Sequence, residues 1–130
     1  QSGLERDGEN KARGVKKFIS ANTREYEYAA YMQAWVAKVE RVGNINYPDE
    51  IRKMKLVGDL ILTVGIQRDG SVSEILVKRP SGEPLLDQAA IRIVRLASPY
   101  SPLTDQMDPT IDVLYITRTW RFSRDFRGVN

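Results

Sequence analysis

The side chains that could do chemistry are carboxylates: Asp59, Asp69, Glu74, Glu83, Asp105, Asp108 and Asp112. General acid–base work needs a pair held in register with its proton affinities pushed apart. Glu83 and Asp87 stand at helical spacing, but both fall near a helix start, where an acidic group favours the positive end of the peptide dipoles. Asp69 precedes Gly70 and reads as a turn residue. The chain contains no Cys and no His, which removes thiolate metal sites, imidazole ligands and Ser-His or Cys-His dyads. The D-x-D-x-D-G spacing of a carboxylate calcium loop does not occur. No catalytic residue, metal ligand or cofactor is assigned, and the chain reads as a non-enzyme.

The chemistry that remains is that of the backbone. Ile111 to Phe122 is the longest strand-like run, and both of its alternations are partly apolar. One holds Leu114, Ile116, Trp120 and Phe122, interrupted by Arg118. The other holds Ile111, Val113, Tyr115, Thr117 and Thr119. The run has no Pro and few charges beyond Arg118 and Arg121, so nothing blunts it if it lies at a sheet edge. An unblunted edge offers a row of N–H and C=O groups to an added strand. Ile111, Val113, Tyr115, Thr117 and Thr119 are therefore the expected partner-binding residues. The alternative is that the chain's own tail, or a second copy, covers this edge.

The elements that must position this strand follow from punctuation and periodicity. Gln1 to Ser20 is polar, with Gly3, Gly8 and Gly14, and reads as a flexible lead-in that only Phe18 and Ile19 could anchor. Asn22, with Glu25 three residues on, resembles a capping box for a helix over about 22–43, ended by Gly43-Asn44. Its apolar stripe is Tyr28, Tyr31, Trp35, Val39 and Val42. Tyr28, Tyr31 and Trp35 could form a secondary partner face or pack on their own domain. Pro48 opens a short helix to about Lys55. Leu60, Leu62, Val64 and Ile66 alternate as a half-buried strand. Asp69-Gly70 is a hairpin turn, and a return strand with an irregular pattern runs from Val72 to Lys78. Pro84 opens a helix that Pro99 and Pro102 cannot continue. The expected class is α+β: a small three-stranded antiparallel sheet with helices packed on one face. The domain is expected over 21–124, followed by a frayed tail at 125–130.

Composition adds bounds. The 130 residues suit one domain, and a net charge of +3 is too mild to argue for nucleic acid. Lacking Cys, the chain leaves its redox compartment open. No apolar run approaches membrane-spanning length. It begins with Gln1 rather than Met, which is expected of a fragment or processed form.

Together these motifs resemble the C-terminal domain of the TonB family. They are Tyr47-Pro48; Gly58-Asp-Leu-Ile-Leu-Thr-Val-Gly-Ile66; Asp69-Gly70-Ser-Val72; Ser81-Gly82; Leu86-Asp87-Gln-Ala-Ala90; and Thr117-Arg118-Thr-Trp120-Arg-Phe122. The likeness runs from about Asn46 to Phe122, and its specificity lies in the order and spacing of the motifs. The resemblance implies a periplasmic domain of an energy transducer anchored in the inner membrane of a Gram-negative bacterium. It implies association with an ExbB/ExbD-type complex through a preceding part. It also implies strand-wise capture of the TonB box of TonB-dependent outer-membrane receptors for uptake of siderophore, haem or similar nutrients. Tyr47 and Pro48 match a motif near the bound box. Asn46 replaces the Gln common there, with shorter reach. Paralogues serving surface machinery or signalling, and a weak self-pairing homodimer, are the alternatives.

Overall fold

The computed structural model describes residues 14–123 and 126–130. In chain order it contains β1 (Val15–Ser20), α1 (Tyr26–Ile45), α2 (Asp49–Met54), β2 (Gly58–Gln67), β3 (Val72–Arg79), α3 (Pro84–Ala97), β4 (Ile111–Phe122) and β5 (Phe126–Val129). The sheet order is β1-β4-β2-β3, with β5 also on β4. The class is α+β as expected, but the sheet has five strands rather than three, and β1 makes it mixed by pairing parallel to β4.

The inner strands form because alternation and length agree. Leu60, Leu62, Val64 and Ile66 of β2 are all buried, as are Leu114, Ile116, Trp120 and Phe122 of β4. Burying each such side chain contributes about 1.5–3 kcal/mol. β2 and β4 pair antiparallel without a break from Gly58↔Phe122 to Gln67↔Val113. The β2–β3 hairpin turns at Gly70, where φ is +92° and a Cβ would run into the Tyr100 carbonyl. Its two register shifts against β2 match the irregular apolar pattern of β3.

The helices lie on one face. Tyr28, Tyr31, Met32, Trp35 and Val39 of α1, Ile51 of α2 and Leu86, Ala90, Ile93 and Val94 of α3 share one core with the inward side chains of β2 and β4. The expected capping box at Asn22 does not form. α1 starts at Tyr26, and Glu25 makes no side-chain cap. Instead Thr23 closes the turn after β1: its N–H donates to Ser20 O at 2.9 Å, and its Oγ1 accepts the Ser20 N–H at 2.9 Å. Nor does Gly43-Asn44 stop the helix. Gly43 is buried, and the end comes at Asn46, whose backbone N–H and Nδ2 donate to Val42 O at 3.0 and 2.9 Å.

Both ends of the chain depart from expectation. Residues 15–20 of the supposed lead-in are β1, and residues 126–129 of the supposed frayed tail are β5. Residues 1–13 lie outside the described residues. In β1 only Ile19 is buried, and in β5 Val129 joins the core. β1 is ordered by backbone pairing with a strand far along the chain and β5 by pairing with the strand it follows, and periodicity records neither.

Candidate partner-binding edge

β4 is central, so each of its flanks must be accounted for. One flank belongs to β2 from Val113 to Phe122. The other is shared. β1 pairs along it from Val15↔Ile111 to Ser20↔Thr117, and β5 pairs from Trp120↔Val129 to Phe122↔Phe126. Between them Thr119 exchanges two backbone hydrogen bonds with Asn130, at 2.8 and 2.7 Å. The expected open edge is therefore occupied by the chain itself, as the tail alternative foresaw, with the upstream segment added.

Thr119 fixes which backbone groups point to this flank. Backbone groups alternate along a strand with period two. Those of Thr117, Tyr115 and Val113 therefore face β1, while those of Leu114, Ile116 and Arg118 face β2. Four of the five expected partner-binding residues thus present their backbone to one flank. Ile111 does not join them. It is buried in the helix-side core, its N–H donates to Asp108 O at 3.2 Å, and its carbonyl accepts Arg68 Nη1 at 2.6 Å.

The side chains of Val113, Tyr115, Thr117 and Thr119 project from the face away from the helices. Thr117 Oγ1 and Thr63 Oγ1 lie 2.7 Å apart. Phe18 of β1 stacks on Tyr115 with ring centroids 4.8 Å apart and 16° between planes. Lys16 Nζ stands 5.6 Å from the centre of the same ring. The Tyr115 hydroxyl donates to Glu74 Oε2. Burial first, and then this hydrogen bond to a carboxylate, push the Tyr115 phenol up to about 12.

Toward the helices, Ile19 is buried and Lys17 lies over the Tyr28 ring at 4.8 Å from its centre. Lys17 Nζ also pairs with Glu25 at 2.7 Å, and that hydrogen bond raises its pKa. At the start of β1 the Val15 N–H donates to Asp112 Oδ2 at 2.8 Å.

The other expected site residues fall elsewhere. Asn46, Tyr47 and Pro48 sit at the far end of β4. Tyr47 is buried, stacks on Phe122 at 6.1 Å, carries the Arg52 guanidinium over its ring at 5.1 Å, and donates from its hydroxyl to Ser123 O at 3.1 Å. Asn46 and Pro48 line a separate groove of about 800 Å³ between α2 and α3, with Ile51, Arg92 and Arg95. Nor do Tyr28, Tyr31 and Trp35 make a partner face, because all three are buried. The Tyr31 hydroxyl donates to Ser101 O at 2.6 Å, and the Tyr28 hydroxyl accepts the Asp108 N–H at 3.1 Å. The stripe binds α1 to the loops that carry β4.

Sequence reasoning missed Lys16, Lys17, Phe18 and Ile19 as site residues. The Phe18-Ile19 pair was the available signal. It also missed the clasp on β5, where Glu40 of α1 accepts the Val129 N–H at 2.9 Å. Gly128 there has φ +105°, and a Cβ on it would meet that same carboxylate.

Comparison with known proteins settles the family. The chain matches the family described as Gram-negative bacterial TonB protein C-terminal over residues 43–123. It belongs to that family. The matched stretch runs from the end of α1 through β4 and leaves β1, most of α1 and β5 outside it. No curated protein matches the chain. Among solved structures it is similar to the NMR solution structure of Helicobacter pylori TonB-CTD (residues 179–285). Identity is 20%, with 79% of this chain and 96% of that one covered and a TM-score of 0.52. That likeness shows a TonB C-terminal fold.

Proposed function

We propose that this domain is the periplasmic, receptor-gripping end of a TonB-like energy transducer and that it works by strand addition at the β1 flank of β4. One observation supports the reading above others: this flank already holds a short extended segment by parallel backbone pairing. β1 stands in for the partner. A TonB box from an outer-membrane receptor takes the place of residues 15–20 and pairs with the backbone of Val113, Tyr115, Thr117 and Thr119.

The energetics suit such an exchange. Each backbone hydrogen bond is worth about 0.5–1.5 kcal/mol net. The partner must also displace a tethered competitor, whose effective concentration is high. Binding at rest is therefore weak, and pulling along the strands loads the hydrogen bonds together. An inner-membrane anchor and an ExbB/ExbD-type complex would supply that pull through the part of the protein preceding this domain. Nutrient uptake is the work transmitted. Catalysis has no place in this scheme, since the recognition chemistry is that of the main chain.

The test is a titration of ¹⁵N-labelled full chain with a TonB-box peptide. Amides of Val113, Tyr115, Thr117 and Thr119 shift, and those of residues 15–20 lose protection as β1 leaves. Shifts confined to α1, or to the groove between α2 and α3, would place the partner elsewhere and end this reading.

A further inference from the structure

The contacts that seat β1 specify what could replace it. β1 delivers Lys17 into a set of carboxylates and Lys16 onto the ring of Tyr115. Lys17 is ion-paired to Glu25 and feels Glu27 as well, and its charge acts on Asp108 at the loop before β4. Lys16 lies over Tyr115, whose hydroxyl is bound to Glu74. Asp112 takes the first N–H of the strand. When β1 leaves, both cations leave with it and the carboxylates stay. Arg68, which stands beside Asp108, is a cation that remains there. The vacated flank is then acidic where Lys17 had lain and at Asp112, and offers a bare aromatic face where Lys16 had lain.

Two apolar seats accompany the charges. Ile19 is 3% exposed and fills a place in the helix-side core, while Phe18 is 64% exposed and contributes one face to the stack on Tyr115. Resting on the strand-addition reading above, we propose that the β1 flank of β4 selects a basic extended segment. Cationic residues come first, then an aromatic side chain for the face of Tyr115, then a β-branched aliphatic for the buried seat of Ile19. Backbone pairing alone accepts any sequence. The carboxylates and the two apolar seats discriminate, and they disfavour an acidic segment by like-charge repulsion.

The experiment uses two synthetic peptides. One repeats residues 14–21, and the other replaces both of its lysines with glutamate. Each is titrated into full chain carrying Ile19→Ser, which unseats β1. The lysine peptide is expected to bind about tenfold more tightly at low salt, since an ion pair becomes a repulsion and a cation–ring contact is lost. The gap narrows as salt rises from about 0.01 M to about 1 M. Equal or tighter binding of the glutamate peptide, with shifts at Val113 to Thr119, overturns the charge selection and leaves strand addition standing. No shift from either peptide removes strand addition and this inference together. A second measurement avoids the Ile19 variant. In full chain with Lys16→Glu and Lys17→Glu, amide exchange at Val113, Tyr115 and Thr117 is expected to quicken about tenfold. Unchanged exchange overturns the proposal.

Discussion

The two flanks of β4 are built to different specifications. Toward β2, ten residues pair with ten in unbroken register, and the apolar side chains on the helix side of both strands are buried. Toward the other flank, two short strands from opposite ends of the chain divide the length. β1 has a register shift between Val15 and Lys16, and β4 has one between Arg121 and Phe122 against β5. Hydrophobic burial is spread along the β2 flank, whereas on the β1 flank it is concentrated in Ile19 and supplemented by exposed charges and one aromatic stack. A sheet can thus keep one strand as permanent scaffold and lend its opposite side to a replaceable segment. The free energy of opening would then differ between two sides of a single strand.

The largest expected effect tests the permanent side. Trp120 and Leu62 are 0% and 1% exposed. Trp120→Ala is expected to cost about 3–5 kcal/mol and Leu62→Ala about 2–5 kcal/mol in denaturant unfolding. Ile19→Ala removes a side chain that is nearly as buried, yet its cost is capped at the free energy that docks β1, because β1 can detach while the rest stays folded. If Ile19→Ala destabilises the whole domain as much as Leu62→Ala, β1 belongs to the scaffold and the contrast fails.

A second effect, about 2–3 kcal/mol at most, tests the helix layer by pH, over a range in which Tyr115 on the β1 flank also titrates and only the Tyr31 variant tells the two apart. Burial pushes the Tyr31 phenol up to about 12, and burial also raises Tyr100. Both hydroxyls donate to backbone carbonyls, Ser101 O at 2.6 Å and Val94 O at 2.7 Å. A phenol with a raised folded pKa is held neutral by the fold. Its stabilisation is fully present below the ordinary value near 10 and is lost as pH climbs toward the folded value. Stability is therefore expected to fall between pH about 10 and about 12, and Tyr31→Phe should flatten that fall in an alkaline denaturation series. An equally steep fall in Tyr31→Phe would show that the α1 tyrosines do not carry it.

How much of this was readable in the sequence follows the same division. α3, from Pro84 to Ala97, and β4, from Ile111 to Phe122, are legible residue for residue because local signals agree. Pro at the first helical position, a sustained apolar stripe, and long alternation bounded by loops each say the same thing. The hairpin at Asp69-Gly70 is legible because positive φ has few residues to serve it. The candidate edge is legible in part: Val113, Tyr115, Thr117 and Thr119 do present their backbone to one flank. What covers that flank is not. Lys16-Lys17-Phe18 alternates no clear apolar face, and its partner lies about a hundred residues away, at Val113 to Tyr115. β5 pairs with the strand just before it, but its four residues are too few to show a period. The α1 stripe was ambiguous because periodicity shows that Tyr28, Tyr31 and Trp35 share a face without saying what that face meets.

The smallest effect is the sharpest test, because it compares neighbouring amides of one strand. Phe18 is largely exposed, so Phe18→Ala forfeits little burial and chiefly the stack on Tyr115, worth about 0.5–1.5 kcal/mol. The unfolding midpoint should barely move. Hydrogen exchange should still respond in an alternating pattern. Val113, Tyr115 and Thr117 point their N–H groups at β1 and are expected to exchange severalfold faster, while Leu114 and Ile116, which point at β2, keep their protection. Such alternation requires β1 to open without β2. Equal acceleration at odd and even positions would mean that both flanks open as one unit, and a partner could then gain access to β4 only by unfolding the sheet.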